Sequence, residues 1–324
     1  MKRRAACRCD FALAFIALAF SAQPAFADEG GTSFWLPGQM GSLSAVPGDA
    51  GWSLPFVYYH TAVDAGGAQE FAVGGRIEVG LEARADLLIA APGYVFSAPV
   101  AGGQASVGMT VLLGHMNVDV NATLTGPGGG VLSGALNDTV DGIGDLYPTA
   151  ALKWNRGAHN YMAYAMLGVP VGAYDADRLA NLGINHWSVD AGGGYTYLNP
   201  EKGHEFSAVL GFTHNFENSD TDYQNGLDGH LDWAASQFLS ERLHLGVAGY
   251  FYEQLSGDSG TGATLGDFKS KVSAIGPQVG YFLDVGGQKW YANLKGFYEF
   301  DAENRPEGWN IWLAVAIPLG SGKT

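Results

Sequence analysis

A chain of 324 residues with 17 Lys+Arg against 32 Asp+Glu has a formal charge of −15, a balance that repels nucleic acid and anionic lipid and attracts cations. Charged residues make up only 15%, where about 25% is usual in soluble domains, and the 48 glycines are about twice the ordinary usage. No apolar run reaches the ~20 residues of a spanning helix, which excludes a helical membrane protein.

Residues 1–27 read as an export signal. Lys2, Arg3, Arg4 and Arg8 make a basic start, Phe11 to Ala22 an apolar stretch, and Ala25-Phe26-Ala27 a small-x-small cleavage site. Cys7 and Cys9 both lie inside it, so the mature chain has no disulfide and no lipid-anchoring cysteine at the cleavage point. With the signal's four basic residues and Asp10 set aside, 13 Lys+Arg face 31 Asp+Glu, a formal charge of −18. Residues 28–51, rich in Gly and Pro, predict an N-terminal extension or plug segment rather than a strand. An exported chain with aromatic-rich alternating stretches and no spanning helix predicts an all-β transmembrane barrel in the bacterial outer membrane.

Residues 52–319 supply about 12 antiparallel strands, or 14 if Asn121 to Val140 holds a further pair, in one closed up-and-down barrel. "LEARADL" at Leu81 to Leu87 resembles "LSERLHL" at Leu239 to Leu245 and reads as a related turn. Residues opposite one another in a hairpin must share a face, so each turn fixes a register. Asn199-Pro200-Glu201-Lys202 joins the strand ending near Tyr197 to Phe206–Phe212 with the apolar faces aligned. Leu231, Trp233, Ala235 and Leu239 match Leu243, Leu245, Val247 and Phe251 through a three-residue loop, Ser240-Glu241-Arg242. That register sets Asp232 beside Tyr250 and His230 beside Tyr252. A type I′ turn at Gly286-Gly287 sets Leu283 opposite Trp290 and Asp284 opposite Lys289.

In the last strand Trp309, Ile311, Leu313, Val315, Ile317 and Leu319 alternate with Asn310, Trp312, Ala314, Ala316 and Pro318. The tail, residues 320–324, ends like a phosphate-binding loop. Ile317 stands where that loop's first glycine belongs, however, and no helix follows. Short turns alternate with long polar segments at Gly172 to Ile184, Glu217 to Gly226 and Ser256 to Lys269, the rim asymmetry of outer-membrane barrels. Arg76, Glu78, Asp190, Glu205, Asp232, Lys295 and Glu299 on the polar face turn the apolar side outward. Trp290, Tyr298, Tyr197 and Trp309 near the apolar face's ends fit interfacial girdles.

Through "GIGDLYPTAALKW", "GVPVGAYDADRLANLGINHW", "AIGPQVGYF" and "KGFYEFDAENRPEGW" the chain resembles the phenol meta-pathway degradation (MetA) family of outer-membrane transporter-like proteins. The matching positions include Gly142, Gly144, Asp145, Pro148, Pro170, Gly172, Asn181, Gly183, Asn185, Pro277, Gly280, Lys295 and Glu299, and the likeness runs from about Glu29 to Leu319. The resemblance implies an outer-membrane barrel associated with catabolism of aromatic or other hydrophobic compounds; it brings no set of ligand residues. The chain departs from many outer-membrane proteins in ending on Gly-Ser-Gly-Lys-Thr rather than on the aromatic residue that the assembly machinery reads.

The inward face offers Asp190, His230, Asp232, Phe238, Tyr250, Tyr252, Phe282, Tyr291, Lys295, Phe297 and Glu299 as substrate-contacting candidates. Flat aromatic walls with polar anchors suit mostly apolar ligands carrying one polar handle. The expectation is passive uptake of small hydrophobic or aromatic compounds, with outer-membrane lipid, those molecules and the barrel assembly machinery as partners, and with no catalysis, cofactor or metal. The alternatives are a general or structural barrel whose interior side chains only fill space, and a lipid or ester hydrolase using Ser236 with His244 diagonal to it. Asp220, Asp222, Asn225 and Asp228 approach the spacing of a calcium loop. Gly226 stands one place late and the terminal glutamate is missing, so a solvated acidic loop is the preferred reading.

Overall fold

The computed structural model describes residues 33–71, 75–125, 130–263 and 269–319, with backbone alone at 67–71 and 75–78. The expected signal and the 320–324 tail lie outside them, as do the side chains of Arg76 and Glu78. Among the described residues fifteen strands form one antiparallel sheet. They are β1 (Gly51–Ser53), β2 (Phe56–Phe71), β3 (Gly75–Ala90), β4 (Gly93–Val100), β5 (Gly103–Thr125), β6 (Val131–Ile143), β7 (Tyr147–Arg156), β8 (His159–Gly168), β9 (Ser188–Asn199), β10 (His204–Asn215), β11 (Asp228–Phe238), β12 (Leu243–Gln254), β13 (Lys271–Val285), β14 (Gln288–Glu303) and β15 (Glu307–Ala316).

The sheet closes on itself. β15 pairs with β14 and β2, β2 with β3, and β3 with the distal half of β5, whose other edge carries β6 and then β7. Three staves consist of two strands in line, β1 with β2, β3 with β4 and β6 with β7, so fifteen strands make a twelve-stave barrel. Proline explains two of the breaks, since it lacks the amide a ladder needs. The carbonyls of Pro55 and Pro92 still accept from Ala91 at 2.9 Å and Met109 at 3.0 Å, so the ladder continues past them. The third break falls at Gly144-Asp145-Leu146. Residues 121–140 hold the single β5–β6 hairpin rather than an extra pair of staves.

Two expected registers are found as stated: Asp232 opposite Tyr250 with His230 opposite Tyr252, and Leu283 opposite Trp290 with Asp284 opposite Lys289. Gly286 and Gly287 take φ of 59° and 80°, as the type I′ turn demands. The β9–β10 turn closes one residue later than expected, pairing Asn199 with His204 and Tyr197 with Phe206. Gly203 supplies a left-handed φ of 68° there, and Asn199 Oδ1 accepts the Lys202 amide at 3.1 Å. The turn expected at Leu81–Leu87 is not formed. That segment lies within β3, paired on both sides, with Leu81, Ala85 and Leu87 inward and Glu82 and Arg84 outward. It is a period-two strand, and it offers no glycine or asparagine to reverse the chain.

Leu210, Phe251, Tyr298 and Trp309 are exposed while Glu205, His230, Asp232 and Lys295 are buried, so the apolar side faces outward. Across β2, β3, β5 and β6 the outward row Tyr58, Leu88, Leu113, Ile143 is apolar and exposed. The next row is His60, Asp86, His115, Asp141, with His60 Nδ1 2.8 Å from Asp86 and His115 Nδ1 2.7 Å from Asp141. Beyond it come Arg84, Asn117 and Thr139, then Asp64, Glu82, Asp119 and Asn137. The lipid-facing band therefore ends at the His–Asp row. β5 has 23 residues, about 75 Å of strand, against an apolar band of about 25 Å, so even a 45° tilt leaves it projecting into water.

Candidate functional site: a plugged lumen and a break in the wall

Residues 33–50 run up inside the barrel from the short-turn rim as a chain of tight turns, and strand side chains hold them along their length. Near the rim Gly48 exchanges two hydrogen bonds with the Gln104 amide, at 2.9 and 2.8 Å. Higher, Glu205 accepts from Ser42 Oγ at 2.8 Å and the Leu43 amide at 3.0 Å; Leu43 is held at a left-handed φ of 67°, uncommon for a side chain of its size. At mid-height Asp232 accepts the Gly38 and Met40 amides, both at 2.9 Å. Lys295 Nζ donates to the carbonyls of Gly38 at 2.6 Å and Met40 at 2.9 Å. One carboxylate and one ammonium thus grip the donors and acceptors of the same two residues, a charge-assisted arrangement stronger than neutral bonding.

Gly38 has φ 87°, and a Cβ there would stand 2.9 Å from the Tyr250 ring and 3.0 Å from Phe297. Only glycine lets the plug lie this flat on the two aromatics. At the top Trp35 stacks on His230 with ring centroids 3.7 Å apart, and His230 Nε2 is 2.9 Å from Asp190, which also accepts from Thr213 at 2.7 Å.

The expected contact residues therefore fall into groups. Asp232, Lys295, His230, Tyr250 and Phe297 meet the plug, and Asp190 backs His230. Glu299 accepts from Tyr250 Oη at 2.5 Å and the Gly308 amide at 3.0 Å. Tyr252 lies under Arg305, with the guanidinium carbon 4.9 Å from its ring centroid. Phe238, Phe282 and Tyr291 form a separate aromatic group near the short-turn rim, joined by His244, whose Nε2 is 2.9 Å from Tyr291 Oη. The hydrolase pair is not assembled: Ser236 Oγ meets Ser42 Oγ at 3.0 Å and Gln278 Nε2 at 2.9 Å, while His244 turns to Tyr291. The acidic loop residues diverge, Asp220 accepting from Asn185, Asp222 from Thr261, and Asp228 from Asn215 inside the wall.

Sequence reasoning missed Trp35, Gly38, Ser42 and the role of Glu205 as plug contacts. The available signal was a set of buried-face charges in need of partners that no neighbouring strand supplied.

The second feature is the wall break after β6. β8 stops at Gly168, bridged beyond by Leu146 and Val169, so on the side away from β5 no strand among the described residues pairs with β6. The β8–β9 segment folds in to cover the step. Asp145, buried, accepts the amides of Val171 at 2.9 Å, Gly172 at 2.7 Å and Ile184 at 2.8 Å. Asp138 accepts those of Leu179 and Ala180, both at 3.0 Å, and pairs with Arg178 at 2.7 Å. Gly144, Gly172 and Gly183 let these backbones approach, since a Cβ would meet a neighbouring atom at 2.4, 2.7 and 2.9 Å respectively. Leu182 and Ala180 then pack on Leu87, Leu112, Val118 and Val140.

No curated protein matches the sequence. The fold is similar to the crystal structure of an outer membrane channel from Pseudomonas putida F1, 16% identical, covering 87% of this chain and 99% of that one with a TM-score of 0.61. A Pseudomonas aeruginosa FadL homologue, 8% identical, covers 92% of this chain and 99% of its own at a TM-score of 0.46. Residues 63–315 match the family described as the putative MetA-pathway of phenol degradation, a span that takes in β3 through β14 and the whole of the wall break, and the chain belongs to that family.

Proposed function

We infer that this barrel sits in the bacterial outer membrane, long loops outward, and lets small, largely apolar molecules, aromatic ones among them, pass by passive diffusion in support of their catabolism. The observation that carries this reading is one contiguous apolar cluster. It runs from Leu81, Leu87, Val118, Val140 and Leu182 at the long-loop end, through partly buried Val57, Tyr59 and Leu36, to Tyr250, Phe297 and Trp312 against the plug. A molecule that leaves water for such a track gains about 25 cal/mol per Å² of apolar surface buried, whereas an ion or sugar meets the plug with no compensating contact. Among the described residues β6 lacks a partner on one side, and the wall break at Gly144–Leu146, beside the end of β8, is where a greasy molecule would leave sideways. The family and the outer-membrane folds to which the chain is similar support transport in preference to chemistry, and Ser236 and His244 being engaged elsewhere agrees with that.

The dense anchoring of residues 33–50 favours a second reading, a closed structural barrel. Liposomes carrying the refolded mature protein separate the two when uptake of a bulky aromatic acid is compared with that of a sugar of similar size. Faster uptake of the aromatic alone is expected. Equal uptake would point to a general pore, and uptake of neither to the structural barrel.

A further inference from the structure

Above the His–Asp row the sheet of β3, β5 and β6 reverses the polarity of a membrane strand. Its outward side chains are polar, as in Asn117, Asp119, Asn137 and Thr139, while its inward ones are Val118, Val120, Leu132, Leu136 and Val140, interrupted by Asp138, whose charge is taken up by Arg178. A sheet standing in water with one apolar face has to cover that face. The β8–β9 segment covers the lower part only: Ala180 is fully buried and Val140 nearly so, but on the same inner face Leu132 and Leu136 are 43% and 46% exposed. The Arg178–Asp138 pair marks the upper limit of the covered zone. No strand flanks β6 on that side among the described residues, so the trough is open to the outside as well as to the barrel.

We propose that this inner face, Leu132 and Leu136 with Val120 opposite Leu136, is a capture site for small uncharged apolar molecules outside the membrane, feeding the passage inferred above. The site rests on that reading for its purpose but not for its existence. The occupant follows from continuity and charge. Val120 packs against the same cluster that reaches Tyr250 and Phe297, so the trough leads into an apolar track. The formal −15 of the chain disfavours anions, and among the described side chains the guanidinium at its edge, Arg178, is already paired with Asp138. Two half-exposed leucines on a surface that water reaches from two sides make a site for capture and release, not for tight retention.

The test is photolabelling of the full mature protein in lipid nanodiscs with an uncharged diazirine-bearing aromatic probe, with peptide mapping and competition by excess unlabelled naphthalene. Competable label is expected on residues 118–125 and 131–136. Leu132→Asn with Leu136→Asn should reduce it at least tenfold, while Ser133→Ala, on the outward face of the same strand, should leave it unchanged. Label confined to lipid-facing peptides such as that of Leu210, or equal labelling of the double variant, would overturn the capture site even if liposome uptake remained selective. Competable label without any uptake would instead sink the passage and leave the capture site standing.

Discussion

Asp232 and Lys295 act on the plug as a pair of opposite charges closed around one stretch of backbone, Gly38 to Met40. Both are buried in the barrel interior, where an ion without its counter-charge is strained by desolvation. Replacing either by alanine leaves the other uncompensated, at a cost on the order of 3–5 kcal/mol, and also orphans two or more backbone groups. The release of that strain is expected to show as a loosened plug. Asp232→Ala and Lys295→Ala should each raise single-channel ion conductance in planar bilayers several-fold, whereas Asp64→Ala, an exposed carboxylate beyond the apolar band, should not. Conductance at the parent level in both clamp variants would mean that Glu205 and the Trp35–His230 stack suffice to hold the segment.

The β8–β9 segment depends on Asp145 in the way the plug depends on Asp232. One buried carboxylate gathers three amides from residues 26 to 39 positions away. Hydrogen bonds to a charged group contribute about 1.5–3 kcal/mol each to stability. Asp145→Ala is therefore expected to free the segment enough for trypsin to cut after Arg178 roughly ten- to a hundredfold faster, with the barrel itself intact; cleavage at the parent rate would show that Asp138 alone anchors it. Such long-range anchoring is what the amino-acid pattern conceals. The Gly286-Gly287 and Ser240–Arg242 hairpins are legible because a short turn and a period-two pattern leave a single register in which apolar faces coincide. The Leu81–Leu87 segment misleads because a likeness to a turn sequence is weaker than its own alternation, which was there to be read. The wall breaks escape because Pro55, Pro92 and Gly144 interrupt that alternation for only two or three residues. Asp190, His230, Asp232 and Lys295 are legible as inward-facing groups, but what they hold is not. The plug contacts of Asp232 and Glu205 join residues 162 to 194 apart, and no local period records such a pairing.

For the molecule as a whole the His60–Asp86–His115–Asp141 row divides surface that meets lipid from surface that meets water. An arginine costs about 2–4 kcal/mol at the middle of the lipid face of a barrel and close to nothing outside it. Leu210→Arg, within the apolar band, is expected to lower the free energy of unfolding in bilayers by about that amount, and Asn137→Arg to leave it unchanged. Similar losses from both would move the boundary and submerge β6. The plug belongs to this scale too, because its foot is tied to the seam that closes the barrel. The Leu54 amide bonds the Ile317 carbonyl at 2.8 Å and the Leu319 amide the Trp52 carbonyl at 2.8 Å, so the chain from Gly38 to Trp52 is a short leash fixed at its lower end. A segment on so short a leash returns to its seat as though present at roughly millimolar concentration. Anything that occupies the middle of the lumen must therefore outcompete a tethered rival that never diffuses away, and a weak binder at micromolar supply will not; for such molecules the path of least resistance goes around the plug.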